Sequence, residues 1–317
     1  MRFPDARYYA RIASTTGFRP EPLERVFRLS SLLHGIVREI GDEVSLRGGT
    51  ALNLLHLDVP RLSVDLDLDY VGTADATAAR NRRPALLSAV EAIASASGYQ
   101  VVPERPSYAM AHLRMHYSDV AGRPTFVKVD VNFLDRVPVM PPERRGIRHP
   151  FGDDLPTFDV NTLALPELAA AKIIALCRRA LARDLFDAGL LVGIENLRLE
   201  EVSTLIVVRG SAYPPPSPRD YQPDVVNRIR SVSWNSEVVA LARRPTPITL
   251  QDARSRAGLL LEGALELGEG HLRFLDLLDA GELRPEVLPL PELHSRIAAN
   301  PGLLWRLQLG VEALEER

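Results

Sequence analysis

RGGTALNLLHLDVPRLSVDLDLD, residues 47–69, decides how the chain is read. Two glycines and a threonine stand ahead of an apolar stretch. Ser63, Asp65, Asp67 and Asp69 then take every second position of an apolar run. Strict alternation over residues 62–70 predicts a β-strand. Side chains two apart on a strand share a face, about 6.5–7 Å from one another. Carboxylates aligned this way repel unless water or a cation screens them. One explanation is the solvated face of an edge strand. The other is a divalent-cation site, for which Mg²⁺ is suited because it takes carboxylates, water and substrate phosphates together.

On the N-terminal side, residues 44–47 predict a short strand running into Gly48 and Gly49. Thr50 is expected to cap the short helix ALNLLHL through its hydroxyl. Glycines let a backbone approach a phosphate closely, and a helix N-terminus offers free N–H groups and a positive dipole. Gly48, Gly49 and Thr50 are therefore candidate phosphate ligands, with a plain tight turn as the alternative. Helical spacing of apolar residues predicts helices over 20–41 and 78–97. Alternation over 111–117 and 127–133, around the turn DVAGRP, predicts a hairpin. Asp130, flanked on its strand face by Lys128 and Asn132, is a candidate third carboxylate for a metal. His112 and His116 lie on the first of these strands. They would be roughly 13 Å apart there, too far to share one ion, and read as sheet-face residues.

From Pro166 the pattern turns helical, and PELAAAKIIALCRRALARDLFDAGLLV reads as one long element with proline in its first turn. It carries Lys172, Arg183, Asp184 and Asp187. Lys172 is a candidate for the phosphate tail of a nucleotide. Asp184 or Asp187 is expected to orient Lys172, Arg183 or the base, with an intrahelical ion pair as the alternative. The fold class predicted is α+β: a small mixed-sheet N-terminal domain, residues 1–155, followed by a mainly helical domain, residues 156–317.

Composition bounds the rest. The 317 residues are 46% hydrophobic and 25% charged, so a sizeable core is available. A net charge of -3 excludes a uniformly basic nucleic-acid coat but leaves room for a local basic patch, with ERRGIRHP (143–150) and CRRALAR (177–183) as candidates. The single cysteine, Cys177, permits no intramolecular disulfide and favours a reducing compartment. No apolar run long enough for a membrane span and no signal-peptide core occur, so a cytoplasmic protein is expected. A phosphate-cradling turn, two or three carboxylates and a distal lysine are the parts of metal-assisted nucleotidyl transfer.

GGTALNLL followed by RLSVDLDL resembles the signature of the polymerase-β-like nucleotidyltransferase superfamily, and more narrowly that of the AbiEii/AbiGii toxin family. Arg61, Ser63, Asp65 and Asp67 fit the family pattern, VKVDVN around Asp130 is similar to its next strand, and Glu167, Lys172, Arg183, Asp184 and Asp187 match its helical segment. The resemblance implies a nucleotidyltransferase, MenT-like, that is the toxin of a bacterial toxin–antitoxin system. It would transfer NMP from an NTP to the 3′ acceptor end of tRNA and block translation, with Mg²⁺, or Mn²⁺ in its place. The implied roles are Asp65, Asp67, Lys172 and Asp187 in catalysis; Gly48, Gly49, Thr50, Ser63, Arg61, Lys172 and Asp184 in nucleotide binding; and Asp65, Asp67 and Asp130 at the metal. The implied partner is a winged-helix (AbiEi-like) antitoxin. The competing readings are nucleotidylation of a protein hydroxyl and a non-catalytic binding protein with a decayed site.

Overall fold

The computed structural model describes residues 3–104 and 107–315, with side chains to residue 309. The chain folds as two units. The first comprises Met1–Arg136, Pro142–Leu163 and Val239–Pro247; the second comprises Val137–Pro141, Ala164–Val238 and Ile248–Arg317. The fold is mixed α and β with one seven-stranded mixed sheet, as the sequence predicts.

The first unit holds the whole sheet. Its strands are β1 (Val44–Arg47), β2 (Asp65–Tyr70), β3 (Gln100–Pro103), β4 (Met110–Ser118), β5 (Pro124–Asn132), β6 (Glu143–Gly146) and β7 (Asp159–Thr162), in spatial order β3-β4-β5-β2-β1-β7-β6. The predicted hairpin is the antiparallel pair β4–β5. β2 lies antiparallel to β1 and parallel to β5, so it is a central strand and not the edge strand that a solvated acidic face would require. Its Leu66, Leu68 and Tyr70 are almost wholly buried, beside Val129 and Val131 of β5. Helices α1 (Ala6–Thr16), α2 (Pro20–Ile40), the one-turn α3 (Gly48–Ala51) and α4 (Ala76–Ala96) complete this unit. α2 packs on β2 and β5 and buries Leu23, Val26, Phe27, Leu33 and Ile36, the apolar stripe that its spacing predicts.

The strand expected over 62–70 begins only at Asp65. Upstream, Leu62 N–H donates to the Leu241 carbonyl, and Arg61 bridges to Ala242. Residues 61–63 are thus held by a chain segment some 180 positions later, which no local pattern announces.

The second unit is helical: α5 (Leu165–Arg179), α6 (Ala182–Leu191), α7 (Leu199–Ser211), α8 (Ser231–Trp234), α9 (Leu250–Ala264), α10 (Glu269–Asp279), α11 (His294–Ala298) and α12 (Pro301–Glu315). The long helix read from Pro166 onward is in fact two. Ala180 takes a left-handed conformation, φ +48°, ends α5 and lets α6 fold back beside it. An unbroken helix would hold residues 172 and 184 about 18 Å apart along its axis. α6 also packs closely on α9: a Cβ at Gly189 would lie 3.1 Å from the Ala253 Cα, so only glycine fits the crossing without a shift. Among the described residues no helix is long and apolar enough to cross a membrane.

Candidate active site

β1 delivers the chain to Gly48 with Arg47 opposite Asp67 across the antiparallel pair. On the other side of β2, Asp65 is in register with Lys128, Asp67 with Asp130, and Asp69 with Asn132. The two-residue repeat therefore gathers Asp65, Asp67, Asp69, Lys128, Asp130 and Asn132 on one sheet face. That face sinks into the protein along β2: Asp65 and Asp67 are half-buried, while Asp69 is fully buried.

Gly48 has φ +73°, a conformation that disfavours any L side chain. A Cβ there would also collide with the Asp67 carboxylate, lying 3.1 Å from Cγ and closer still to Oδ2. The glycine bend and the Asp67 carboxylate are thus in contact, as a site that brings phosphate and cation together requires. Asp69, by contrast, is an internal strut. Arg47 Nε lies 3.1 Å from its Oδ1, and Asn132 Nδ2 donates to the same oxygen at 2.9 Å.

Asp130 has close company. His112 Nδ1 lies 2.8 Å from Oδ1, and Lys128 Nζ donates to Oδ2 at 2.8 Å. Burial alone would depress the Lys128 pKa. Its bond to Asp130 and the charges of Asp130, Asp65 and Asp67 outweigh burial and raise it. Each Asp130 oxygen thus has one partner and keeps a second lone pair, so Asp130 can join a cation without losing either. His112 is the residue of this cluster whose role sequence reasoning missed. Alternation placed it on a sheet face; the β4–β5 register, which pairs His112 with Asp130, shows what it faces.

Thr50 does not cap a helix, contrary to expectation. α3 already begins at Gly48, its N-cap position is Arg47, and Thr50 is buried within its single turn before a π-turn over Leu52–His56. The Thr50 hydroxyl meets the Asp65 carbonyl oxygen and lies 2.9 Å from Ser63 Oγ. With one proton available, it donates to the carbonyl and accepts from Ser63. Thr50 therefore ties the glycine turn to the start of the carboxylate strand. Ser63 is 7% exposed and Arg61 2% exposed, with Arg61 Nη1 donating to the Leu62 carbonyl.

In the second unit the break at Ala180 brings Lys172 Nζ to 3.1 Å from Asp184 Oδ1 and 2.8 Å from Asp187 Oδ2. Arg179 forks onto both Asp184 oxygens, at 2.7 and 3.0 Å. Asp184 and Asp187 are fully buried, and Lys172 is 6% exposed. Burial pushes the Asp184 pKa up, but Lys172 and Arg179 overcome it and hold the carboxyl below its ordinary value. Lys172 and Arg179 thus offset the charge of the buried carboxylates. Glu167, from the same sequence motif, accepts from the Val139 and Met140 amides and pairs with buried Arg209.

The donor set of the first unit fits one class of cation. Among the described residues no three His, Cys, Asp or Glu side chains converge tightly enough to cage an ion by themselves. Two half-buried carboxylates on one strand, with a glycine bend against one of them, suit a hard ion that keeps its water and takes phosphate oxygens. They do not suit a closed tetrahedral zinc site.

MenT4, a nucleotidyltransferase toxin from Mycobacterium tuberculosis H37Rv, superposes with a TM-score of 0.64 at 18% identity, over 93% of this chain and 98% of that one, and so shares its fold. A candidate nucleotidyltransferase from H. pylori is similar at 18% identity and a TM-score of 0.46, over 78% of this chain and 94% of its own. None of the curated proteins matches. The sequence profile of the family described as “Nucleotidyl transferase AbiEii toxin, Type IV TA system” matches residues 32–253, a span running from α2 through the carboxylate strand and the Lys172 cluster into α9. The chain belongs to the AbiEii family of nucleotidyltransferase toxins of type IV toxin–antitoxin systems.

Proposed function

We propose that this nucleotidyltransferase moves NMP from an NTP to the 3′ acceptor end of tRNA, and that it does so with Mg²⁺, or Mn²⁺ in its place. The observation that carries the reading is the Asp67 carboxylate set against the Gly48 bend, with Asp65 on the same strand face. Asp65 and Asp67 would hold the cation, with Asp130 as a third carboxylate. When bound, the ion would offset triphosphate charge and make the attacking hydroxyl more acidic. Gly48, Gly49 and Thr50 would meet the phosphates through the backbone, and Ser63 and Arg61 would support that turn. Lys172 has three N–H donors, and Asp184 and Asp187 engage two of them. The third is assigned to the triphosphate, with Asp184 and Asp187 as the groups that aim it.

In this reading the toxin acts in the cytoplasm, and a winged-helix repressor is the cognate antitoxin. The carboxylates and the glycine bend belong to the first unit, and Lys172 to the helical one. The test is incubation of the pure protein with Mg²⁺, each NTP in turn and a tRNA pool, reading 3′-end length on a gel. Extension by wild type, lost in Asp65→Asn and Asp67→Asn and on chelation, is expected. Label entering protein and not RNA would overturn the choice of acceptor; unchanged extension by Asp67→Asn would overturn the site.

A further inference from the structure

A second cationic site lies away from the carboxylates, where α4 begins and β5 ends. A pocket of about 130 Å³ is lined by Arg80, Arg83, Tyr108, Phe133 and Arg136, with two alanines of α4. None of the three arginines makes an ion pair with a carboxylate among the described residues. Arg83 donates to the Tyr108, Ser107 and Met110 carbonyls, and its guanidinium lies 4.7 Å from the centre of the Phe133 ring. Arg136 donates to the Ala74 and Phe133 carbonyls. Arg80 is exposed and has no hydrogen-bond partner among the described residues.

This arrangement concentrates uncompensated charge. Carbonyls and a ring fix the orientation of Arg83 and Arg136 without neutralising them. Burial pulls the pKa of both below the ordinary guanidinium value; at Arg136 it prevails over Tyr108 and Asp75, which act the other way. Asp75 is the carboxylate that acts on Arg136, and its Oδ1 already accepts from Ala78 N–H as the cap of α4. The first turn of α4 contains no acidic residue, and Arg80, Arg82 and Arg83 follow directly. Arg82 alone of these is neutralised, by Glu43. Cations near a helix N-terminus oppose its dipole, so an anion bound there relieves both the dipole and the arginines.

We propose that this pocket is a docking subsite for a backbone phosphate of the RNA acceptor, with the exposed Tyr108 ring beside it as a stacking surface for a neighbouring base. Guanidinium groups match phosphate geometry in forked pairs, and a ring next to a phosphate site is the usual way an unpaired nucleotide is held. The subsite lies past the C-terminal ends of β2 and β5, beyond Asp69 and Asn132, so it serves to grip a large substrate and not to perform chemistry. The proposal rests on the RNA reading of the preceding subsection.

The experiment uses the full chain and Arg80→Glu, which removes no hydrogen bond of the described residues and leaves the fold intact. Fluorescence anisotropy with a labelled tRNA pool over a KCl series is read beside the kinetics of 3′ extension. Affinity should fall by about 10-fold in Arg80→Glu, and the log–log salt slope should shrink by about 1. KM for tRNA should rise with kcat unchanged, and Arg136→Lys, which keeps charge but loses the fork, should fall between the two. Unchanged affinity and slope in Arg80→Glu would overturn the subsite even if wild type extends tRNA. Weakened RNA binding by Arg80→Glu in a protein that extends no RNA would instead retain the subsite and remove the reaction. If Arg80→Glu loses only the antitoxin, the pocket recognises an acidic protein surface and the proposal fails.

Discussion

Replacing Gly48 with alanine tests the contact on which the active-site reading stands, because the structure supplies a matched control. Gly48 and Gly98 both have strongly positive φ, +73° and +83°. A Cβ at Gly98 meets nothing within 4 Å, whereas one at Gly48 meets the Asp67 side chain. Alanine in the left-handed region costs about 1–2 kcal/mol at either position. Gly98→Ala should lose that much in urea unfolding and keep full activity. Gly48→Ala carries the overlap as well, which adds about 1–3 kcal/mol. To clear the new methyl group the Asp67 carboxylate must retreat by about 1 Å, and a misplacement of that size lowers catalysis about 100-fold. In an Asp67→Ala background most of the extra stability cost of Gly48→Ala should disappear, because only the residue 67 Cβ, 3.2 Å from the new methyl group, remains against it. The assay is a double-mutant cycle in urea, with nucleotidyl transfer measured under conditions where every variant is folded. Equal stability losses for Gly48→Ala and Gly98→Ala, together with full activity in Gly48→Ala, would refute the argument that bend and carboxylate form one site.

Two further predictions concern stability. Arg209→Met should destabilise the second unit by about 3–5 kcal/mol, because it leaves buried Glu167 without its cation; adding Glu167→Gln should recover part of the loss in chemical denaturation. His56 is held down to about 4, first by burial and then by Arg145 and Arg148. Below about pH 6.5 the unfolded chain therefore binds a proton that the folded chain refuses, so stability should fall as pH drops from about 6.5 toward 4. Urea midpoints at pH 7.5 and 5 should differ less in His56→Gln than in wild type, and an equal difference would contradict the assignment.

Much of the site was legible because its determinants are local. A two-residue repeat of carboxylates needs only strand geometry to share a face, and paired glycines before a helix need only backbone freedom. What stayed hidden depends on register and on distant chain. The partnership of His112 with Asp130 follows from how β4 pairs with β5, which alternation cannot give. Asp69 reads like Asp65 and Asp67 in sequence, yet Arg47 and Asn132 enclose it. Thr50 suggested a cap because threonine favours that position, but helix geometry is already established at Gly48 and the hydroxyl has better partners in Ser63 and Asp65. The turn at Ala180 has no glycine to announce it. Its support is tertiary: the buried ion cluster of Lys172, Arg179, Asp184 and Asp187 forms only when the helix is interrupted.

The return of residues Val239–Pro247 to the first unit bears on how the toxin is made. Leu62, which leads into the acidic strand, finds its hydrogen-bond acceptor in Leu241, and Gly17 and Pro60 accept from Arg244 and Arg243. At about 5–20 residues per second, a ribosome that has just completed Leu163 needs several more seconds to supply those partners. Until then the nascent polypeptide lacks the segment that anchors the approach to Asp65. Truncated products ending before Val239 would lack it permanently.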